Sequence, residues 1–199
     1  MGKGKTMNKY LIAALGAGTM LTIAVPASAQ TVTGTVNITG SVANKCAVLP
    51  GSGSTFTSTV ALGELAQADG TMATDLATRF NASGPATLAF RVVCNTSNPT
   101  IAVDSTQLTT AGAASAGYAA RIDYNANVAV ALSPSGSTTV SNDSRNAPTV
   151  ATPAGGPLAN TGSANVTITA SAFGTANATD LLVAGAYTGN ISIVIAPGA

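Results

Sequence analysis

The sequence predicts an all-β sandwich, and three observations predict it. Short apolar runs recur along the chain with Gly, Pro and Asn turn chemistry between them. Several of these runs alternate with a period of two, as half-buried strands do. Sequence that reads as a sustained helix is nearly absent. The region 61–80 alone is ambiguous, Ala-rich enough for a helical turn around residues 75–80.

The first thirty residues read as an export address. Lys3, Lys5 and Lys9 supply a positive start, residues 10–25 an apolar stretch, and Ala27-Ser28-Ala29 the small-residue cleavage pattern. This predicts a signal peptide over 1–29 and a mature chain beginning at Gln30. The apolar stretch is short and is ended by Pro26, which argues against a membrane anchor. No later segment is long and apolar enough to span a bilayer, so no membrane span is expected in the mature chain.

Directly behind this address, residues 31–42 alternate almost without error. Val32, Gly34, Val36, Ile38, Gly40 and Val42 fall on one face, with Thr, Asn and Ser on the other. A terminal strand of this kind can pair with its own sheet or with the open sheet of a neighbour, and the residues alone leave both fates open. The extension is assigned to 30–44 and the domain to 45–199.

Within the domain, 45–49 reads as a strand, followed by a turn at 50–53 and a short strand at 56–62. Residues 87–94 read as a core strand, since Leu88, Phe90 and Val92 share a face. Residues 95–99 turn the chain and 100–104 begin the next strand. Ile122, Tyr124, Val128, Val130 and Leu132 share one face of 119–132, a long strand or a hairpin. Residues 166–173 and 187–195 complete the set. The stretch 133–162 carries Pro134, Pro148, Pro153, Pro157 and Gly155-Gly156, and reads as a long surface loop with at most a weak hairpin through Val140 and Val150.

Composition excludes several classes of function. The mature part holds five basic residues and seven acidic ones, the opposite of a nucleic-acid surface. There is no histidine, which removes Ser-His-Asp and Cys-His arrangements and most transition-metal sites. Asp123-Tyr124-Asn125-Ala126-Asn127 begins like a calcium loop but has Val128 where glycine is needed and Pro134 where glutamate is needed. Nothing brings any two of the seven carboxylates together for glycoside hydrolysis. The chain is read as a non-enzyme with no cofactor and no metal. Cys46 and Cys94, an even count in an exported chain, are expected to pair. Their bridge would close a loop of about 49 residues, a stabilisation of roughly 4 kcal/mol.

The order of motifs resembles a known family. It runs from residues 34–48, through Leu62-Gly63-Glu64-Leu65 and Phe90-Arg91-Val92-Val93-Cys94-Asn95-Thr96, to Pro99-Thr100-Ile101-Ala102-Val103-Asp104. It continues with Ile122-Asp123-Tyr124-Asn125 and closes on Ala184-Gly185-Ala186-Tyr187-Thr188-Gly189 before an alternating last strand. This series is similar to the spore coat protein U domain of archaic chaperone–usher pilins. The resemblance implies an immunoglobulin-like sandwich incomplete without a donor strand, with Cys46 and Cys94 bridging its first and second strands. It also implies a groove that accepts a neighbour's N-terminal strand. Groove candidates are Leu88, Phe90, Val92, Tyr187, Ile191, Ile193 and Ile195, and the donor strand is the row Val32 to Val42. The implied function is a structural subunit of a surface fimbrium for adhesion or biofilm formation. Its partners would be copies of itself or related pilins, a periplasmic chaperone and an outer-membrane usher, and its location the periplasm in transit and then the cell surface or the medium. Two alternatives stand beside it. One is a self-complemented secreted coat or matrix protein. The other is a surface adhesin module acting through 133–162, against which the scarcity of aromatic residues argues, with Tyr118, Tyr124 and Tyr187 as the mature candidates for sugar stacking.

Overall fold

A computed structural model describes residues 33–50 and 53–198. The expected signal peptide, its cleavage point and Val32 lie outside the described residues. The chain divides into two units, 1–40 and 41–199. In the first, residues 33–40 form no strand, and Val36 and Ile38 are 86% and 92% exposed.

The second unit is built of mostly antiparallel strands with two short helices. Its elements are β1 (Cys46–Leu49), α1 (Leu76–Asn81), α2 (Pro85–Leu88), β2 (Ala89–Cys94), β3 (Thr100–Ser105) and β4 (Leu108–Thr109). They continue as β5 (Tyr118–Ala119), β6 (Arg121–Ala131), β7 (Ser137–Asp143), β8 (Thr152–Pro153), β9 (Val166–Gly174), β10 (Leu181–Leu182) and β11 (Ile191–Ala196). One sheet runs β1-β2-β9-β6, with β7 and β4 also on β6, and a second runs β11-β3-β8. A small parallel pair, β10 and β5, caps one end.

The two main sheets share one core. β6 alternates without fault, burying Ile122, Tyr124, Ala126, Val128 and Val130, the parity its sequence shows. All but Ile122 join the core cluster, where they meet Val166 and Ile168 from β9 and Ile101 and Val103 from β3. Ile191, Ile193 and Ile195 of β11 pack against the same cluster while staying half-buried. Ile122 packs instead in a smaller cluster with Leu76 and Ala73.

The cysteines are bridged as expected. Cys46 stands directly opposite Cys94 in the β1–β2 ladder, with the Cα atoms 4.1 Å apart. Helix α1 forms where the sequence allowed one helical turn, its Asp75–Arg79 pair bonded one turn apart at 2.8 Å.

Three expectations are corrected. Residues 133–162 are not a surface loop. Ser137–Asp143 is a full strand paired with β6 over seven residues, and Ala154, Leu158 and Ala159 beyond it are buried. The hairpin is therefore β6–β7, and Val150 is 86% exposed rather than paired with Val140. Residues 56–62 have the side-chain parity of a strand but no ladder. The core strand expected over 87–94 begins as the short helix α2 and becomes extended only at Ala89. The calcium-like run 123–127 lies in the middle of β6, with Asn127 Oδ1 accepting from Ser141 Oγ at 2.7 Å, as a solvated strand does.

Candidate functional site

The two sheets are joined differently along their two sides. On one side the chain itself crosses from β7 to β8 and closes the gap. Buried Asn142 Oδ1 accepts from the Ser105 N–H at 2.9 Å and from Ser105 Oγ at 2.6 Å, while its Nδ2 donates to the Ala147 carbonyl at 2.9 Å. Thr149 then bonds Val103 in both directions, and Thr152 pairs with Ile101.

The other side is open. β11 pairs with β3 alone among the described residues. The Thr106 N–H donates to the Asn190 carbonyl at 2.9 Å, which sets the phase of the ladder. Bonded pairs in an antiparallel ladder alternate, so the main-chain groups of Ser192, Val194 and Ala196 face β3, and those of Ile191, Ile193 and Ile195 face outward. The same three residues turn their side chains to the core.

Across the gap runs the segment 54–62. Phe56, Val60 and Leu62 are its half-buried residues, and the Phe56 ring stacks on Phe90 with centroids 3.8 Å apart. Its main chain joins no ladder. Ser58 Oγ donates to the Thr87 carbonyl at 2.6 Å, and Arg79 holds the Leu62 carbonyl at 3.3 Å. The opening thus lies between β11 and a segment that, among the described residues, joins no ladder.

Beside it lies a cavity of about 380 Å³ with a mixed lining, in which Thr57, Thr59, Thr87 and Asn190 stand among the apolar side chains. Phe56, Val60 and Leu62 line one wall, and Leu88 and Ile191 stand at its edges. Phe80, Tyr124 and Phe173 contribute aromatic surface, the Tyr124 and Phe173 rings stacked at 5.3 Å. Phe173 reaches this position through a bulge. Asp123 pairs with Gly174 and Asn125 with Ser171, so two residues of β9 oppose Tyr124 alone. Ala172 takes φ 52°, and the parity of β9 shifts by one.

Tyr124 donates its O–H to the Asn190 carbonyl at 3.0 Å. Burial and the nearby Asp104 charge push its pKa up to about 12, so it remains a neutral donor fixing the start of β11. Gly189 serves the same end. A Cβ at Gly189 would stand 2.9 Å from the Thr106 and Gln107 carbonyl oxygens, so only glycine lets this strand lie so close.

Of the expected groove residues, Leu88 and Ile191 line the cavity, and Phe90 backs it through Phe56. Ile193 and Ile195 continue the open edge, and Val92 is buried in the core. Tyr187 is elsewhere. It packs in the smaller cluster, its hydroxyl within 3.0 Å of the Ala119 carbonyl and 2.9 Å of the Val183 carbonyl. Phe80, Tyr124, Ile168 and Phe173 are cavity residues that pattern reading did not assign to the groove. For Tyr124 and Ile168 the inward parity was visible; for Phe173 the bulge concealed it.

Comparison with protein-family models, with curated proteins and with solved structures finds no match. No helix among the described residues is long and apolar enough to cross a membrane.

Proposed function

We propose that this chain is a structural subunit of a surface fibre, an incomplete immunoglobulin-like sandwich of the archaic chaperone–usher pilin type. Subunits join head to tail when the extension of one enters the open side of the next. The observation that carries this reading is the edge of β11, unpaired among the described residues and starting at a cavity lined by Phe56, Val60, Leu62 and Ile191, in a chain that also exposes an alternating apolar segment. Val36, Ile38 and Val42 are 86%, 92% and 80% exposed, and burying the three would stabilise an interface by a gross ~5–9 kcal/mol. The donor strand would pair with the outward main-chain groups of Ile191, Ile193 and Ile195 on one side and with 54–62 on the other. Before assembly a periplasmic chaperone would lend a strand to the same edge, and an usher would deliver the subunit to the surface.

The test is a charge in the donor row. An unpaired arginine in a dry groove costs several kcal/mol. The double variant Val36→Arg, Ile38→Arg is expected to leave soluble, disulfide-bonded protein in the periplasm and to abolish fibres. Normal fibres from the double variant would refute the donor assignment. Loss of the soluble protein would instead show that the strand belongs to its own core, as in a self-complemented coat protein.

A further inference from the structure

We propose that Asn95 is a positioning residue that fixes where and in which direction the extension leaves the domain, so that the extension serves a neighbour. This rests on the fibre reading above. The residue follows β2 and makes three hydrogen bonds to two residues of the departing chain. Its side-chain Oδ1 accepts from the Lys45 N–H at 2.7 Å, its Nδ2 donates to the Ala43 carbonyl at 2.8 Å, and its own N–H donates to the Lys45 carbonyl at 3.1 Å. The side-chain amide thereby imitates one further step of the β1–β2 ladder. The amide supplies the acceptor and the donor on two separate atoms, as this requires. The clamp stands on a fixed base, because the adjoining ladder pair is the Cys46–Cys94 bridge.

The clamp lies far from the cavity at which the groove begins. Leu88 lines the cavity at the start of β2, and Asn95 follows the last residue of that strand, about 20 Å away. β11 runs from the cavity at Ile191 to Ala196, which pairs with Thr100 just past the turn that begins at Asn95. A chain leaving from the clamp and returning to its own groove would therefore lie parallel to β11. A neighbour's strand can enter antiparallel, the more favourable ladder. Holding residues 43–45 in place also removes, before association, the ordering cost of each residue fixed.

The experiment uses the full-length chain and two measurements, the rate of polymerisation and the uptake of a synthetic peptide of residues 31–42. Asn95→Ala is expected to polymerise about tenfold more slowly, the factor for one residue left to be ordered, and to take up the peptide at the wild-type rate. Asn95→Asp keeps the acceptor for Lys45 and loses the donor to Ala43, so it should fall between the two. It also supplies the comparison if the alanine variant fails to fold. Polymerisation at the wild-type rate in both variants would overturn the proposal, as would a matched loss of peptide uptake, which marks a merely structural role. If the wild type itself neither polymerises nor takes up peptide, the fibre reading fails and the proposal with it.

Discussion

The two sides of the paired sheets solve the same problem in opposite ways. At the β3–β7 side the buried polar groups are bonded within the chain, by Asn142 and Thr149. At the β11 side a row of main-chain groups and the adjoining cavity have no covering strand among the described residues. Exposed sheet edges are ordinarily blunted by charge, proline or a bulge. Ile191–Ala196 contains no charged residue and no proline. The difference teaches that the open side is specified as carefully as the closed one, down to the glycine and the tyrosine that fix where β11 starts.

The comparison can be broken at several points. The largest expected effect lies outside both sides and sets the scale. Cys46→Ser with Cys94→Ser removes the bridge between residues 48 apart and should cost about 4 kcal/mol in denaturant unfolding. On the closed side, Asn142→Ala leaves the Ser105 N–H and the Ala147 carbonyl buried without their partner, so about 2–4 kcal/mol should be lost. A pair of core truncations sharpens the contrast directly. Ile101, wholly buried beside β8, should cost about 3 kcal/mol when changed to alanine. Ile193→Ala, half-buried at the open edge, should cost about half as much in the free subunit. Adding the 31–42 peptide should close that gap, because the added strand buries Ile193.

The smallest effect is a pH dependence on the closed side. The Arg145 guanidinium donates to both Asp143 oxygens, at 3.0 and 2.5 Å, and holds this carboxyl down at about 2. A carboxyl depressed in the folded state stabilises it above the ordinary carboxylate range and ceases to do so as the pH falls toward 2. Arg145 is exposed and Asp143 half-buried, so solvent screening keeps the effect small. Asp143→Asn should flatten acid unfolding between pH 4 and pH 2 slightly and leave neutral stability lower by the same small step.

What was legible in the sequence follows from side-chain parity. β6 could be read residue by residue because its inward row is apolar throughout. β7 could not, because its one fully buried residue is Asn142, which reads as loop chemistry until its partners are known. The flanking prolines strengthened that misreading. Residues 56–62 show the converse. Their parity is right, but parity reports which side chains turn inward and says nothing of whether a neighbouring strand supplies a ladder. Phe173 was hidden by the bulge at Ala172, a backbone event with no glycine to signal it. The cavity is therefore only partly visible in sequence, since its walls come from segments far apart in the chain.

The central claim is that the outward edge of β11 accepts residues 31–42 of another copy. Amide hydrogen exchange on the Val36→Arg, Ile38→Arg subunit, with and without the wild-type 31–42 peptide, tests it most directly. The account predicts that the amides of Ile191, Ile193 and Ile195 exchange freely alone and become protected with peptide, while those of Ser192 and Val194, already bonded to β3, change little. Unchanged exchange at the three isoleucines, or protection appearing along the outer edge of β7 or β1 instead, would contradict it.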